Sequence, residues 1–342
     1  MLLLPVAIFN EKIPLNDDEL LSRISKELSV RIHKNWTVEE LKLEIYTNGI
    51  TNKVFSVIHT TGERLLFRVF GQDTEKIIDR AHEEENWQML AAHGLAAPLH
   101  AKFANGLICG YLEGEPINTK NLRDSAVKMG VCRAMAKMHE IGVPADAIPC
   151  TFTKLRLFLS NIRPKYQNFM EQTYYDAYFG NVDLETEMNR SIELLKNEQV
   201  PVVFCHNDLL LNNVIYDEKK DVINFIDYEY ADANYFLFDI ANHFNEYAGV
   251  DNPDYSLIPN KEEKLEWLRL YYSFRTEKPS EEELSHQLHL TSLFEALSHL
   301  FWVAWALVQS QISKIDFNYL KYAHLRYQQY EQKLAEYKAN SH

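Results

Sequence analysis

The sequence predicts an α+β chain of two lobes, a small antiparallel-sheet lobe over 1–113 and a larger, mostly helical lobe over 114–342. Three observations carry this. Before residue 113, strand-length apolar runs alternate with short polar turns. After it, apolar residues recur at helical spacing over long stretches. Within that second part, Phe204–Tyr230 holds two short apolar runs split by a polar turn, with carboxylates and amides at their ends.

In order, Met1–Phe9 is apolar but short, with no basic flank and no small-residue cleavage site, and reads as a first strand rather than a signal peptide. Asp17–Leu28 sets Leu20, Leu21, Ile24 and Leu28 at helical spacing, with Asn16 as the cap. Extended chain begins in Glu39–Tyr46, and strands follow at Val54–His59 and Leu65–Phe70. The small residues Asn48, Gly49, Ile50, Thr51 and Asn52 form a loop between strands. Such a loop can lay backbone N–H groups over phosphates, although an ordinary hairpin turn accounts better for it in isolation. Arg68 lies within the next strand, where alternation alone would send it to solvent. A helix over Thr74–Ala92 carries Glu83-Glu84-Glu85, one of which could pair with Arg68, and His93-Gly94 ends it. Strands at Leu99–Phe103 and Leu107–Leu112 then reach Glu113-Gly114-Glu115-Pro116, a break that reads as a hinge. Beyond it, Asn121–Glu140 is helical, as are Leu155–Ile162 and Leu184–Leu195, while Phe169–Phe179 reads as an aromatic-rich connection.

The central stretch carries the chemistry. Phosphoryl transfer from a triphosphate requires cations against the charge that develops, and a hydroxyl nucleophile requires a carboxylate to take its proton. His206-Asn-Asp208, then Asn213 five residues on, then a hairpin ending on Asp227, matches the H-x-D-x4-N loop and second Asp that kinases use. Pairing across the hairpin brings Asn213 and Asp227 side by side, and an amide and a carboxylate suit Mg²⁺. Asp and Asn near strand ends also serve as turn formers, but here spacing, residue types and flanking strands meet one mechanism. His206 is expected to hold the loop by hydrogen bonding backbone. Asn207 stands where protein kinases have Arg, and Tyr228-Glu229 where they have Phe-Gly, which argues for a small-molecule acceptor. Backbone at the hinge, Tyr111 and Leu112, would meet the adenine of ATP.

The remaining chain is helical. Phe236–Tyr247 places Asp239, Asn242 and Glu246 on one face, a stripe that either lines the site or is partly exposed. Helices follow at 262–274, 281–311 and Asn318–Tyr337, with Trp302 and Trp305 projecting from one side of the second. Leu293–Val308 is apolar but contains Glu295 and His299, so it reads as a buried helix and not a membrane span.

Bulk composition narrows the partners. Lys and Arg number 35 against 49 Asp and Glu, a formal charge of −14, which disfavours nucleic acid and anionic membrane. The 4 cysteines show no paired spacing and read as reduced thiols of a cytoplasmic protein.

On Gly49-Ile-Thr-Asn-Lys53, Cys205-His-Asn-Asp-Leu-Leu210, Phe225-Ile-Asp-Tyr-Glu-Tyr230, Asp239-Ile with Asn242-His-Phe-Asn-Glu246, and Phe301-Trp302 with Trp305, the chain resembles the choline/ethanolamine kinases, and among them looks most like those acting on ethanolamine. The resemblance spans nearly the whole chain and is weakest between Gly142 and Gln199. It implies a bilobal protein-kinase-like fold and ATP-dependent phosphorylation of ethanolamine, the first step toward phosphatidylethanolamine, with choline as the rival substrate. By resemblance, Asp208 is the catalytic base, Asn213 and Asp227 hold Mg²⁺, the loop from Asn48 to Asn52 covers the phosphates, and Arg68 contacts phosphate while pairing with Glu83. Tyr230, Glu246, Trp302, Trp305 and Tyr330 would line the amino-alcohol pocket. Leu210, where choline kinases tend to carry a polar residue, fits ethanolamine. The partner is then a small molecule, with no nucleic acid and no stable membrane insertion, and a homodimer is allowed. An aminoglycoside phosphotransferase shares the central motif but needs a broader acidic groove than the Trp302/Trp305 pair suggests. A non-catalytic binder of nucleotide would be expected to lack the base or a metal ligand, and all three are present.

Overall fold

Alternation of apolar side chains along the early strands builds one sheet. The computed structural model describes residues 6–46, 52–70, 80–313 and 315–340. Two compact units, Met1–Gly114 and Glu115–His342, make up the chain.

The first unit runs β1 (Ala7–Ile8), α1 (Asp18–Ile32), β2 (Leu41–Tyr46), β3 (Asn52–His59), β4 (Arg64–Phe70), α2 (Arg80–Ala92), β5 (Leu99–Phe103) and β6 (Gly106–Gly110). Among the described residues these strands form a sheet in the order β1-β5-β6-β4-β3-β2. Neighbouring pairs are antiparallel except β1, which runs parallel to β5, Ala7 opposite Ala101. The small antiparallel-sheet lobe expected is thus present, with the two-residue β1 added in parallel at its edge. No short turn links β1 to β5, so nothing forces the antiparallel sense. Phe55, Val57, Phe67, Val69 and Ile108 turn to one buried face, covered by Leu21 and Leu28 of α1 and by Trp36.

Asp17, not Asn16, caps α1; its carboxylate accepts from Leu20 N at 2.9 Å. A carboxylate directly before the first turn also meets the positive end of the helix. Gly94, at φ +65°, closes α2, with Leu95 N reaching back to Leu90 O, as a left-handed residue past a helix end allows. The starts expected for β1 at Met1 and for α2 at Thr74 lie outside the described residues.

The second unit runs β7 (Glu115–Pro116), α3 (Ser125–Met138), α4 (Cys150–Asn161), α5 (Phe169–Tyr178), α6 (Leu184–Leu195), β8 (Val202–Cys205), β9 (Val214–Asp217), β10 (Val222–Phe225), β11 (Asp232–Tyr235), α7 (Phe236–Asn245), α8 (Lys261–Ser273), α9 (Glu281–Ile312) and α10 (Tyr319–Ala339). Its strands pair as β10-β9-β7 and β11-β8. Helix α9 is the axis of this unit. A capping box of Ser280 and Glu283 starts it, and it packs against α10, α7 and α4. By length and composition it could cross a membrane, but 89% of its apolar window is buried inside the fold.

The aromatic segment expected as a connection is the helix α5. Asn168 caps it, its side-chain oxygen accepting from Met170 N at 2.8 Å. It buries none of its residues, so it has no apolar stripe to announce it.

Candidate active site

The buried run Val203–Cys205 of β8 pairs with β11, Cys205 opposite Asp232, and delivers residues 206–208 at its end. Asn207 takes the left-handed conformation, φ +68°, which Asn tolerates better than most residues. Its side chain fixes that conformation: Oδ1 accepts from Asn234 Nδ2 at 2.7 Å, and Nδ2 donates to Tyr230 O at 3.0 Å. The turn is also held from α7. Asp239, fully buried, accepts from His206 N at 2.9 Å and from Asn207 N at 2.8 Å. His139 Nε2 meets the same carboxylate at 3.1 Å. Burial opposes ionisation of Asp239, yet the His139 contact and the backbone N–H groups hold it below its ordinary value.

His206 holds backbone on both sides. Its Nδ1 accepts from Asp208 N at 3.3 Å, so Nε2 carries the proton and donates to Ile226 O at 2.9 Å. Burial pushes its pKa down, in keeping with a neutral ring spanning the base loop and the hairpin end.

That hairpin is β9–β10, with Val214 opposite Phe225. Ile226 N donates to Asn213 O at 3.0 Å, so the ladder runs one step past the strands and sets Asn213 beside the Ile226–Asp227 corner. Asp227 is itself left-handed, φ +66°. Asn213 Nδ2 donates to Asp208 O at 2.9 Å and to Asp208 Oδ2 at 3.3 Å. Both partners are acceptors, which fixes the amide's orientation and turns Oδ1 away from Asp208. Asp208 is raised well above its ordinary value by burial first, then by the charges of Asp227, Glu246 and Glu229, with Arg326 opposing.

An aromatic corner stands in the same unit. Tyr230 and Trp302 are buried and meet edge to face, centroids 5.4 Å apart; Trp302 and Trp305 repeat that geometry at 5.4 Å. Trp305 Nε1 donates to Tyr230 OH at 2.8 Å, and Trp302 Nε1 to Asn242 Oδ1 at 2.7 Å.

The model for the choline/ethanolamine kinase family matches residues 43–331. The chain belongs to that family. It is 37% identical over 314 residues to ethanolamine kinase 1 of Homo sapiens, covering 87% of this chain and 69% of that protein. With ethanolamine kinase 2 of Homo sapiens it shares 36% over 323 residues, 93% of this chain and 82% of the other. The solved structure of an ethanolamine kinase from Plasmodium vivax superposes with a TM-score of 0.79 at 27% identity, covering 93% of this chain and 91% of that one. This choline/ethanolamine kinase is therefore a phosphotransferase with an alcohol acceptor, and its family implies ATP as the phosphate donor.

The fold brings together Asp208, Asn213 and the Asp227 corner, as described above, and the aromatic corner joins Tyr230, Trp302 and Trp305. Glu246 is buried, but its carboxylate already accepts from Arg326 Nη1 at 2.8 Å. The stripe Asp239, Asn242 and Glu246 is wholly buried rather than partly exposed. In the other unit, Arg68 does not face solvent: it donates to the buried Glu83 at 2.7 Å, and Arg80 donates to the other oxygen of that carboxylate at 2.6 Å. Tyr111 is half-buried with Arg64 over its ring at 4.8 Å, and Leu112 is half-buried beside it. Asn52 pairs with Phe70 in the β3–β4 ladder; Asn48, Gly49, Ile50 and Thr51 lie outside the described residues.

Tyr330 stands apart from the aromatic corner in its polar contact, its hydroxyl donating to Glu187 of α6 at 2.6 Å. Tyr322, two turns earlier on α10, is buried; burial raises its pKa, with Arg326 opposing and the charge of Glu246 adding to the rise. Arg326 lies over the Tyr322 ring at 5.5 Å. Tyr322 and Arg326 are thus the neighbours that sequence reasoning missed. The i, i+4 spacing of Tyr322 and Arg326 was the available signal.

His139, Cys205 and Asp239 bring possible metal-binding atoms within 4.8 Å of one another. Hydrogen bonds already occupy them: His139 to Tyr271 and Asp239, Cys205 Sγ to Asn234 O, and Asp239 to the base loop. Burial also keeps the Cys205 thiol protonated. The hard oxygens of Asn213 and Asp227 are the better donor set for a magnesium ion.

Proposed function

We propose that this protein is an ATP-dependent ethanolamine kinase of the cytoplasm, forming phosphoethanolamine and ADP in the first step toward phosphatidylethanolamine. The observation that carries the reading is Asp208, buried and oriented by Asn213, within one unit with an aromatic corner suited to an ammonium. A substrate ammonium favours ring faces and oxygen acceptors, and Tyr230, Trp302, Trp305 and Tyr322 with Glu246 supply both. The reading requires neither nucleic acid nor membrane insertion and allows a homodimer.

In the proposed reaction the ethanolamine oxygen forms a bond to the γ-phosphorus of ATP. The bond from that phosphorus to the β–γ bridging oxygen breaks, and ADP departs with the electron pair. Asp208 orients the hydroxyl and takes its proton. Asn213 Oδ1 and the Asp227 carboxylate would hold magnesium, which supplies charge neutralisation at the phosphates. His206, Asn207 and Asp239 hold the base loop still. Arg68, kept in place by Glu83, is proposed as a phosphate contact.

Choline is the second reading, favoured by the aromatic corner, since a trimethylammonium gains from ring faces alone. Comparing kcat/KM for ethanolamine and choline, with and without Mg²⁺, decides between them. A higher value for ethanolamine with dependence on Mg²⁺ is expected. A preference for choline overturns the substrate assignment, and turnover undiminished by chelation overturns the metal assignment.

A further inference from the structure

Asn242 is fully buried on α7, one turn before Glu246 and one turn after Asp239. Its Oδ1 accepts two hydrogen bonds from α9, from Ser298 Oγ at 2.9 Å and from Trp302 Nε1 at 2.7 Å. Its Nδ2 is buried without a partner among the described residues. A half-satisfied buried amide costs stability that an apolar side chain of the same shape would avoid. Packing alone therefore gives no reason for an amide here; its oxygen does.

That oxygen engages the indole N–H. A ring attracts a cation with its face and repels it with its positive edge, of which the indole N–H is the most positive part. Trp305 has its N–H turned onto Tyr230 OH. Trp302 has its N–H turned onto Asn242. Both indoles of the corner thereby spend their donors on protein acceptors and keep them off an arriving ammonium.

We propose that Asn242 is a positioning residue for recognition of the amino alcohol, acting through Trp302. It rests on the reading that Trp302 meets the substrate ammonium. Without the amide oxygen the indole edge is released, and the ring no longer offers a fixed face. The chemical step at Asp208 is left alone, because the base loop is held by Asp239 and Asn207 and not by Asn242.

The test is steady-state kinetics on the full chain with Asn242→Ala, Asn242→Asp, Trp302→Phe, Trp302→Leu and the double variant Asn242→Ala/Trp302→Phe. Asn242→Ala is expected to raise the KM for the amino alcohol about five- to ten-fold, the scale of one lost neutral hydrogen bond, with kcat and the KM for ATP nearly unchanged. Asn242→Asp, which keeps an acceptor oxygen, should recover most of the loss. In the Trp302→Phe background, which has no indole N–H, removing Asn242 should add little. Equal losses from Asn242→Ala in the two backgrounds, or a fall in kcat with no change in that KM, overturns the proposal. Should Asn242→Ala fail to fold, Asn242→Asp decides: a KM near that of the unaltered chain supports the acceptor role, and a raised KM with folding intact overturns it. If Trp302→Leu leaves the amino-alcohol KM unchanged, the pocket assignment itself falls, an outcome separate from a failure confined to Asn242.

Discussion

Asn213 donates its side-chain amide to Asp208 twice, to the backbone carbonyl at 2.9 Å and to the carboxylate at 3.3 Å. One side chain thus has two ends with different tasks in the proposed reaction: nitrogen would steady Asp208, and oxygen would meet the cation. Asn213→Ala is expected to lower kcat and also to raise the Mg²⁺ concentration needed for half-maximal rate. Asp208→Ala should lower kcat by about 10²- to 10⁴-fold, the usual worth of a positioned general base, with the Mg²⁺ requirement and ATP binding nearly unchanged. Magnesium titrations of turnover for the two variants read this split. An unaltered Mg²⁺ requirement in Asn213→Ala would remove Asn213 from the metal site.

Arg326 and Glu246 form a buried ion pair, with side chains 2% and 4% exposed. Removing one partner of such a pair leaves an uncompensated charge, at a cost of about 3–5 kcal/mol. Arg326→Met should therefore unfold at markedly lower denaturant concentration. Adding Glu246→Gln should restore much of the loss, because the stranded carboxylate is gone. Denaturant melts of both variants check this, and a double variant no more stable than Arg326→Met alone contradicts it.

The clustering of Asp208, Asn213 and the Asp227 corner was legible because the spacing is local: a loop, a hairpin and its end lie within one stretch, and strand pairing alone brings Asn213 to the Asp227 corner. Tyr322 was not legible. Tyrosines recur along α10 at 319, 322, 327, 330 and 337, and periodicity says which share a face but not which turn stands beside Glu246. The packing of α10 decides that: Arg326, with its guanidinium 5.5 Å from the Tyr322 ring, is the residue that meets Glu246. Nor does a sequence show that Glu246 already has Arg326 as partner 80 residues away. The helix α5 escaped for the opposite reason, since an element that buries nothing carries no apolar period.

Asp239 holds the base loop through the N–H groups of His206 and Asn207. In Asp239→Asn one of these N–H groups, or His139, faces an amide NH₂ where it had an acceptor. The loop must shift, and a displacement of about 1 Å at a reacting group can cost about 10²-fold in rate. The expected result is a fall in kcat of that order with little change in the KM for ethanolamine, since the aromatic corner has its own anchors. A raised KM at unchanged kcat would mean that Asp239 supports the pocket rather than the base.

Buried histidines give stability a definite acid limb. Burial lowers the pKa of His243, and that of His299 falls well below its ordinary value, with Arg326, Lys333 and Lys264 also disfavouring its charge. Asp239, Glu295 and Glu246 supply the opposing charges in the same region. A group whose pKa is lower folded than unfolded binds more protons in the unfolded chain at intermediate pH. Stability then rises with pH across that interval. The contribution is complete above the ordinary histidine value of 6.5 and is lost as pH falls below it toward the folded value. The histidine contribution to the melting temperature should be flat above about pH 7 and drop progressively below about pH 6.5. His299→Leu removes one such group from a fully buried site where both ring nitrogens lack partners among the described residues, so its melting temperature should fall less steeply with acid than that of the unaltered chain. Melting curves of the two proteins across pH 5–8 read the difference, and parallel slopes would mean that His299 takes no part in the acid limb.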